Sequence, residues 1–303
     1  MKPKLLIIGT SLIVNEHIKS ALKVGFNLYS INSTKLNSLN EKQFYKKYTF
    51  SKKFKSWKEA LAYCKNDKNI SVLLASRIKD NIKILKQALK GINLIFTEKP
   101  LATNSNDLKQ LIKHNKKIFI GYNRTHYNGV KYLKKTLKNP SSVIVKFTEN
   151  NFKDIFSNSI HVISIINYLF GKIKVIKKIK KKNTITLLAI NKNRTPINFI
   201  FTKRSPEMFS IDILDNNKRY LLKPLEKLTI YQKLNFKYLN GNKKMLIPIE
   251  IPKKIINEYS QSFFKAGFLN QMKSFKKFVK NESKNTNDLN FGLNIIKLCE
   301  NFF

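Results

Sequence analysis

Residues 92–101, Ile-Asn-Leu-Ile-Phe-Thr-Glu-Lys-Pro-Leu, carry the clearest indication of the fold class of this chain. The apolar run at its start predicts a buried strand, and the following segment, Asn106 to His114, predicts a helix. Lys99 stands at the end of the strand, with a glutamate before it and a proline after it. Ligands of open α/β sheets bind at strand ends, and the proline restricts Lys99 to extended geometry. The stretch therefore predicts an α/β sheet with Lys99 as a candidate functional residue; the alternative is a solvated loop lysine.

The first 121 residues alternate predicted strands with predicted helices. The strands are Leu5–Ile8, Phe26–Ile31, Ile70–Ala75, Leu94–Thr97 and Ile118–Ile120. The helices are Asn15–Lys23, Asn40–Lys47, one that Ser56 and Glu59 open as a capping box, and Asn81–Lys90, which Gly91 ends. This alternation predicts a parallel sheet with helices on both faces.

From Ser142 onward the pattern changes to successive strands joined by polar turns, which predicts an antiparallel sheet. The expected strands are Val143–Thr148, Lys174–Ile179, Thr184–Ile190, Ile197–Phe201, Phe209–Leu214 and Lys218–Leu222. The lysine-rich segment 173–182 is either a basic patch or an edge strand with its lysines turned outward, and we favour the edge strand.

Two helices are expected to pack on this second sheet. One is His161–Leu169, and the other runs from about Ser260 to Lys280. The long helix carries an apolar stripe at helical spacing, which we interpret as core: Phe264, Phe268, Met272, Phe275 and Val279. A polar loop, Asn281 to Asp288, precedes a last helix.

The composition is strongly basic, with a formal net charge of +41, and this invites a nucleic-acid interpretation. Only five of the 59 basic residues are arginines, the residue type on which sequence-specific readers of nucleic acid depend. The lysines are spread along the chain, beside abundant Asn, Ile and Phe. We attribute the charge to the codon bias of an AT-rich genome. It should still attract anionic ligands.

The two cysteines, Cys64 and Cys299, form neither a metal-binding spacing nor a disulfide framework. The sequence also offers no apolar run long enough to cross a membrane, and the apolar N-terminal segment is better explained as a first strand and turn than as a signal peptide. We therefore expect a cytoplasmic protein without a metal site.

Three further segments, taken in order with Glu98-Lys99-Pro100-Leu101, resemble a known family. The first strand runs straight into Gly9, the strand 118–120 ends in Gly-Tyr-Asn-Arg at 121–124, and His161 opens an apolar helix. Together they resemble the glucose–fructose oxidoreductase and inositol dehydrogenase (Gfo/Idh/MocA) family over nearly the whole chain. The resemblance implies a Rossmann dinucleotide-binding domain over 1–121 and an α+β domain with an open, mainly antiparallel sheet over 122–303. Association into a homo-oligomer through that sheet is also implied.

The family's chemistry moves a hydride between a nicotinamide cofactor and a carbon that bears a hydroxyl, on a sugar, nucleotide-sugar or cyclitol. The resemblance implies that Lys99 polarises the oxygen and that His161 transfers the proton. It also implies substrate contacts at Tyr122, Asn123 and Arg124, and cofactor contacts at Gly9, Ser11, Leu12, Ile13, Ser33, Lys35, Ser76 and Glu98. His17 matches a histidine that is often present in the family.

The cofactor is expected to be NADP or NAD. The segment that follows the second strand, Ile31-Asn-Ser-Thr-Lys35, has no carboxylate to repel a 2′-phosphate, and its hydroxyls and lysine could hold one. This slightly favours NADP, although a plain turn explains the same residues.

The chain departs from the family's pattern in two places. Ser11 and Val14 replace glycines of the phosphate-binding turn, and Ser157 and Ser164 replace aspartates that flank the helix histidine. The alternative function is therefore a catalytically degraded relative that binds a sugar or a protein partner without redox turnover. A third is an anion-binding protein that uses its lysine-rich surface.

Overall fold

The computed structural model describes residues 2–35, 38–239, 242–260 and 263–303. The chain divides into two compact units: unit 1 comprises Met1–His126 and Gln261–Lys297, and unit 2 comprises Tyr127–Ser260 and Leu298–Phe303. This division differs from the expected domains 1–121 and 122–303, because the segment 261–297 belongs with the first unit. Within the described ranges, no helix has the length and hydropathy needed to cross a membrane.

Unit 1 contains a parallel sheet of five strands in the order β2-β1-β3-β4-β5, and the predicted α/β class is confirmed. The strands are β1 (Lys4–Ile8), β2 (Asn27–Asn32), β3 (Ile70–Leu74), β4 (Ile95–Glu98) and β5 (Ile118–Gly121). The helices before β5 are α1 (Leu12–Lys23), α2 (Leu39–Lys47), α3 (Trp57–Tyr63), α4 (Ile78–Ala88) and α5 (Ser105–Lys109). Every residue of β3 is buried, as expected for a parallel strand covered on both faces.

Two helix predictions in unit 1 need correction. The helix expected over 106–114 is broken into α5 and a 3-10 helix, Ile112–Lys117. The capping box at α3 is incomplete: the Ser56 hydroxyl accepts from the Glu59 N–H at 3.2 Å, but the Glu59 carboxylate accepts from the Lys55 N–H at 2.8 Å and not from Ser56.

The C-terminal apolar stripe packs in unit 1 and not on the antiparallel sheet. Helix α8 spans Phe268–Val279, so it begins eight residues after the predicted start, and residues 261 and 262 of the prediction lie outside the described residues. Met272 and Phe275 belong to the core cluster around β1, β2 and α1, and Phe275 contacts the rings of Phe26, Phe96 and Phe119. Periodicity identified the buried face, but a stripe of apolar residues does not specify which sheet covers it.

The polar loop before the last helix, α9 (Leu289–Glu300), is hydrogen-bonded to β5. The Ile120 N–H donates to the Asn287 carbonyl at 2.7 Å, and the Asn285 amide donates to the Ile118 carbonyl at 2.6 Å. Asn287 is fully buried, and its amide lies 3.1 Å from Nε2 of the buried His126. The loop is therefore part of the packed structure of unit 1.

Unit 2 contains a mixed, mostly antiparallel sheet in the order β15-β12-β11-β10-β6-β9-β8-β7. Its strands are β6 (Pro140–Glu149), β7 (Lys174–Lys181), β8 (Thr184–Ile190), β9 (Pro196–Lys203), β10 (Ser210–Asp215), β11 (Lys218–Leu222), β12 (Lys227–Tyr231) and β15 (Lys254–Asn257). The pair β6–β9 is parallel and the other neighbouring strands are antiparallel, so the expected open, mainly antiparallel sheet is confirmed. The lysine-rich strand β7 lies at the edge of the sheet and is largely exposed, so the edge-strand interpretation is confirmed.

Unit 2 also contains elements that were not expected, among them α6 (Asn128–Thr136) and the strands β12 to β15. A separate two-stranded ribbon consists of β13 (Asn235–Leu239) and β14 (Asn242–Ile249). The helices are α6 (Asn128–Thr136) and α7 (Ile160–Phe170), and α7 is buried on nearly every side. Helix α7 confirms the predicted apolar helix that His161 opens.

Candidate functional site

The predicted cofactor and catalytic residues of unit 1 lie at one edge of its sheet. Gly9 follows β1, Ser33 follows β2, Ser76 lies two residues after β3, Lys99 follows β4 and Tyr122 follows β5. Because these strands are parallel, their carboxyl ends share one edge. Open α/β sheets bind their ligands at this edge, beside the point where the connections change direction.

Gly9 lets the chain turn tightly between β1 and α1. Its φ of +119° lies in a region that side chains rarely adopt, and a Cβ there would stand 2.1 Å from the Ala75 carbonyl oxygen. The Gly9 N–H donates to the Asn32 carbonyl at 2.9 Å. Gly9 is therefore required where the turn crosses the ends of two neighbouring strands.

The two substituted glycine positions of this turn have different consequences. Ser11 is the N-cap of α1, but its exposed side chain makes no capping hydrogen bond. Val14 is fully buried in the core of unit 1. The first turn of α1 therefore presents backbone N–H groups beside an exposed hydroxyl, which suits an anion. This part of the chain fits the pyrophosphate of a dinucleotide.

A cavity of about 640 Å³ opens at the carboxyl end of β2. Five lysines contribute to its lining: Lys35, Lys42, Lys53, Lys55 and Lys58. Ser33, Thr34, Phe54 and Trp57 complete a lining of hydroxyls and aromatic rings. The Thr10 hydroxyl donates to the Ser33 hydroxyl at 3.4 Å, so this cavity adjoins the Gly9 turn. Such a basic lining suits an anionic ligand.

A carboxylate from α2 also lines this cavity. Glu41 of α2 accepts a hydrogen bond from the Ser33 N–H at 2.6 Å. The expectation that no carboxylate stands at the end of β2 is therefore wrong. Glu41 is eight residues further along the chain, and only the packing of α2 brings it back to the strand end.

Glu98 makes a contact that the sequence did not predict. Its Oε1 lies 2.5 Å from Nε2 of His17, which is 1% exposed, and its Oε2 accepts from the Lys99 N–H at 3.2 Å. The Lys99 side chain is half-buried. Helix α1 is thus linked through a carboxylate to the end of β4.

A second link reaches the same turn from β3. The Ser76 hydroxyl donates to Asn81 Oδ1 at 2.6 Å, and the amide of the buried Asn81 reaches the Pro100 carbonyl at 3.5 Å. Arg77, which could have faced a phosphate, is exposed and pairs with Asp80.

The three predicted substrate residues differ in their surroundings. Tyr122 is 1% exposed and contacts the Phe291 ring edge-on. The buried Asn123 donates to the Ala266 carbonyl at 3.1 Å. Arg124 is half-buried. Tyr122 and Asn123 therefore contribute to packing within unit 1, and Arg124 is the member with a partly exposed side chain.

His161 belongs to unit 2, in the first turn of α7, and is 9% exposed. Ser164, one of the aspartate replacements, donates to the His161 carbonyl at 2.7 Å. Asp154 accepts from the Asn151 N–H and caps a short 3-10 helix. Glu149 accepts from both the N–H and the hydroxyl of Ser159, the N-cap of α7. A carboxylate therefore stands at the start of α7, from strand β6, where local sequence spacing does not reveal it.

Comparison with known proteins finds matches by structure and none by sequence. No family model matches the chain, and neither does any curated protein. Solved structures match over almost the full length. The MviM dehydrogenase of Clostridium difficile has a TM-score of 0.76 at 17% identity, covering 99% of this chain and 98% of that one.

Two further structures match at similar strength. One is the UDP-N-acetylglucosamine 3-dehydrogenase GnnA of Acidithiobacillus ferrooxidans, with a TM-score of 0.73, 12% identity and coverage of 100% and 97%. The other is an oxidoreductase of Agrobacterium radiobacter in complex with NAD⁺, L-tartaric acid and magnesium, with a TM-score of 0.73, 11% identity and coverage of 99% and 95%. The chain therefore has the fold of these Gfo/Idh/MocA-type dehydrogenases, as its resemblance to that family implied.

Proposed function

We propose that this chain is an NAD(P)-dependent oxidoreductase that acts on a hydroxyl-bearing carbon of a sugar, nucleotide-sugar or cyclitol. The observation that carries the proposal is the convergence of three features on one edge of the unit 1 sheet. These are the Gly9 turn, the lysine-lined cavity and Lys99. The solved structures with the same fold include a nucleotide-sugar dehydrogenase and an oxidoreductase with bound NAD⁺.

A nicotinamide dinucleotide bound at this edge would supply the hydride acceptor or donor. The backbone N–H groups of Ser11, Leu12 and Ile13 bind the pyrophosphate, with Gly9 allowing the turn. Ser33 and Lys35 hold the adenosine ribose, and Ser76 and Glu98 border the nicotinamide side. Leu12 is 91% exposed, and a bound cofactor would cover part of its apolar surface.

Lys99 and His161 are the proposed catalytic residues, with different roles. In the oxidative direction the carbon loses a hydride while its hydroxyl loses a proton. The ammonium of Lys99 stabilises the negative charge that develops on that oxygen, and His161 accepts the proton. Arg124 is proposed to bind the substrate, and its guanidinium can grip a carboxylate or phosphate with two hydrogen bonds.

NADP is the preferred cofactor of this proposal. Five lysines line the cavity at the end of β2 against one acidic residue, Glu41, whose carboxylate already accepts from Ser33. A 2′-phosphate would gain from the lysines more than it loses to Glu41. NAD lacks the 2′-phosphate, so it would gain less binding free energy from these lysines.

Titration with NADPH, followed by its fluorescence, and with NADH in parallel tests the proposal. We expect saturable binding of both cofactors, with NADPH tighter. Lys35→Ala should weaken NADPH by about tenfold and leave NADH nearly unchanged, since about 1.4 kcal/mol corresponds to a factor of ten. The matched control is Lys46→Ala, an exposed lysine of α2 that does not line the cavity. Absence of binding of either cofactor up to millimolar concentration would contradict the enzyme proposal.

That negative result would favour the second candidate, a relative that has lost redox turnover. The observation behind it is that several family positions are already engaged within the protein. Asn123 bonds the Ala266 carbonyl, Glu98 bonds His17, and Ser164 bonds its own helix. Such a protein would bind a sugar or a protein partner without a cofactor.

A homo-oligomer formed through the unit 2 sheet is also part of the proposal. Along β6 the side chains of Val143, Val145 and Phe147 are buried, while Ile144 between them is 37% exposed. Leu188 and Leu214 are exposed on the same face of the sheet, and an oligomer would cover them. Sedimentation should give more than one chain per particle, and Ile144→Lys should reduce that number. A monomer at all concentrations would contradict it.

A further inference from the structure

His17 lies in the core of unit 1 and yet bonds a charged side chain. It is 1% exposed on α1. Its ring contacts Phe96 at 5.1 Å between centroids, nearly edge-on, and Phe268 at 4.9 Å. Its Nε2 lies 2.5 Å from Glu98 Oε1. A histidine held between two aromatic rings has little freedom to turn, so its ring nitrogen stays aimed at the carboxylate.

Glu98 is held on both oxygens. Oε1 meets His17, and Oε2 accepts from the Lys99 N–H at 3.2 Å. On the β5 side, Gly121 makes room for the carboxylate, because a Cβ there would stand 3.1 Å from Oε1. The carboxylate therefore has a defined place between α1, the end of β4 and the end of β5.

We propose that His17 is a positioning residue that, through Glu98, holds the main chain of Lys99 at the carboxyl end of β4. The inference rests on the proposed function in one respect: Lys99 is the residue whose placement affects the reaction. His17 itself lies buried beneath the edge and contacts neither substrate nor cofactor in this proposal.

The physical reason is that the Glu98 carboxylate has two partners. With the N–H of Lys99 as its single partner, the carboxylate could change rotamer. A buried donor on a rigid helix removes that freedom, and hydrogen bonds to charged groups are stronger than those between neutral ones. The main chain is then held on both sides of the Lys99 side chain. Glu98 binds the Lys99 N–H, and the Asn81 amide donates to the Pro100 carbonyl.

Hydrogen exchange of the Lys99 amide tests the proposal without cofactor or substrate. His17→Phe keeps an aromatic ring between Phe96 and Phe268 but removes the donor. We expect exchange at Lys99 to accelerate by about tenfold or more, as loss of a charge-assisted hydrogen bond implies. His17→Gln, which restores a donor, should recover most of the protection. Ile18→Val is the matched control: it loosens α1 at a fully buried neighbour without touching Glu98, and Lys99 exchange should stay at the wild-type rate.

A double-mutant cycle adds a second readout. His17→Phe and Glu98→Gln should each accelerate Lys99 exchange, and the double variant should be no faster than the faster single variant, because both act through one contact. Additive effects, or a His17→Phe variant with wild-type exchange, would overturn the proposal and leave His17 as a core ring. If His17→Phe unfolds, the comparison of His17→Gln with Glu98→Gln decides: exchange unchanged by Glu98→Gln overturns it.

NADPH titration of the same variants separates this inference from the proposed function. Wild-type protein that binds no cofactor, with Lys99 exchange still dependent on His17, would sink the proposed function alone. Wild-type protein that binds NADPH, with exchange independent of His17, would sink the positioning role alone.

Discussion

Lys99 is the residue on which the proposed chemistry depends most. It follows β4, its side chain is half-buried, and its N–H is bonded to Glu98. The features that single it out are local: an apolar strand, an acidic neighbour and a following proline. Its surroundings come from three other segments, which carry His17, Asn81 and Gly121.

Lys99→Ala should abolish turnover while unit 1 stays folded. Loss of a group that stabilises charge on the substrate oxygen costs about 10²–10⁴-fold in rate. The measurement is oxidation of a panel of nucleotide-sugars, free sugars and cyclitols with NADP⁺, beside a urea titration. Lys90→Ala, an exposed lysine after α4, is the control and should keep full activity. A Lys99→Ala variant that unfolds far more easily than wild type would instead make Lys99 a structural residue.

His161→Asn should lower turnover by about 10²–10⁴-fold and leave cofactor affinity unchanged, because it removes a proton-transfer group from unit 2 and no part of the Gly9 turn. The same substrate panel and the NADPH titration measure the two quantities. Ser164→Ala is the control: it removes a hydroxyl that bonds the His161 carbonyl and leaves the imidazole in place. Wild-type turnover in His161→Asn would rule out the catalytic role of this histidine.

Among the elements, α8 contributes Met272 and Phe275 to the core of unit 1. It comes from the C-terminal part of the chain, and Phe275 inserts among Phe26, Phe96 and Phe119. Lys276 of the same helix bonds the Val24 carbonyl at the end of α1. The first 126 residues therefore contain the whole parallel sheet but only part of the core that covers it.

Phe275→Ala should lower the free energy of unfolding of unit 1 by about 3–5 kcal/mol, as truncation of a buried phenylalanine does. Phe278→Ala on the same helix is the control, because Phe278 is only partly buried and should cost less. Urea titration followed by circular dichroism measures both. Equal losses would show that α8 does not pack as described.

A buried carboxylate from a distant 3-10 turn, Glu258, contacts the start of α6 and should make stability depend on pH. Glu258 is 5% exposed and accepts from the Gly129 N–H at 3.1 Å and the Asn128 amide at 3.3 Å. Burial raises the pKa of Glu258 above its ordinary value of 4.5, because removal from water disfavours the carboxylate. The protonated form is therefore favoured by folding, and stability falls as pH rises from 4.5 through the raised pKa.

The side chain of Glu258→Gln stays neutral at every pH. The free energy of unfolding of this variant should therefore increase relative to that of wild type as the pH rises from about 4 to 7. Glu207→Gln should do the reverse, because Lys223 holds the pKa of the Glu207 carboxyl below its ordinary value and that pairing stabilises only above it. Urea titrations of both variants and wild type at several pH values measure the differences. Parallel trends in the two variants would contradict the assignment.

For the whole molecule, the two cysteines report separately on the two units. Cys64 is fully buried in unit 1, and burial raises the pKa of its thiol to about 11. Cys299 is fully buried in unit 2, and burial raises its thiol pKa further. Thiolates are the reactive form, so both should resist alkylation in the native protein.

Iodoacetamide at pH 8 should therefore label neither cysteine until urea unfolds the unit that contains it. Mass spectrometry of peptides around residues 64 and 299 gives the two labelling curves. Phe275→Ala should move the Cys64 curve to lower urea more than the Cys299 curve. Rapid labelling of Cys64 without urea would show that its site in unit 1 is open.

Local patterns in the sequence by themselves determined the alternation of strands and helices, the edge strand β7 and the positions of Gly9, Lys99 and His161. Each depends on residues within a few positions of one another, through strand and helix periodicity and through the turn properties of glycine and proline. The family resemblance, carried by the same short motifs, agrees with the fold that the solved structures share.

The contacts that join distant segments become visible in the folded chain. These contacts assign α8 to unit 1, bring Glu41 back to the end of β2, and pair His17 with Glu98, 81 residues away. An apolar stripe indicates that one face of a helix is buried. It does not indicate which element covers that face, because the hydrophobic effect is not directional. The partner of a single histidine or glutamate likewise cannot be predicted from the residues beside it in the sequence, because folding of the intervening chain brings the two together.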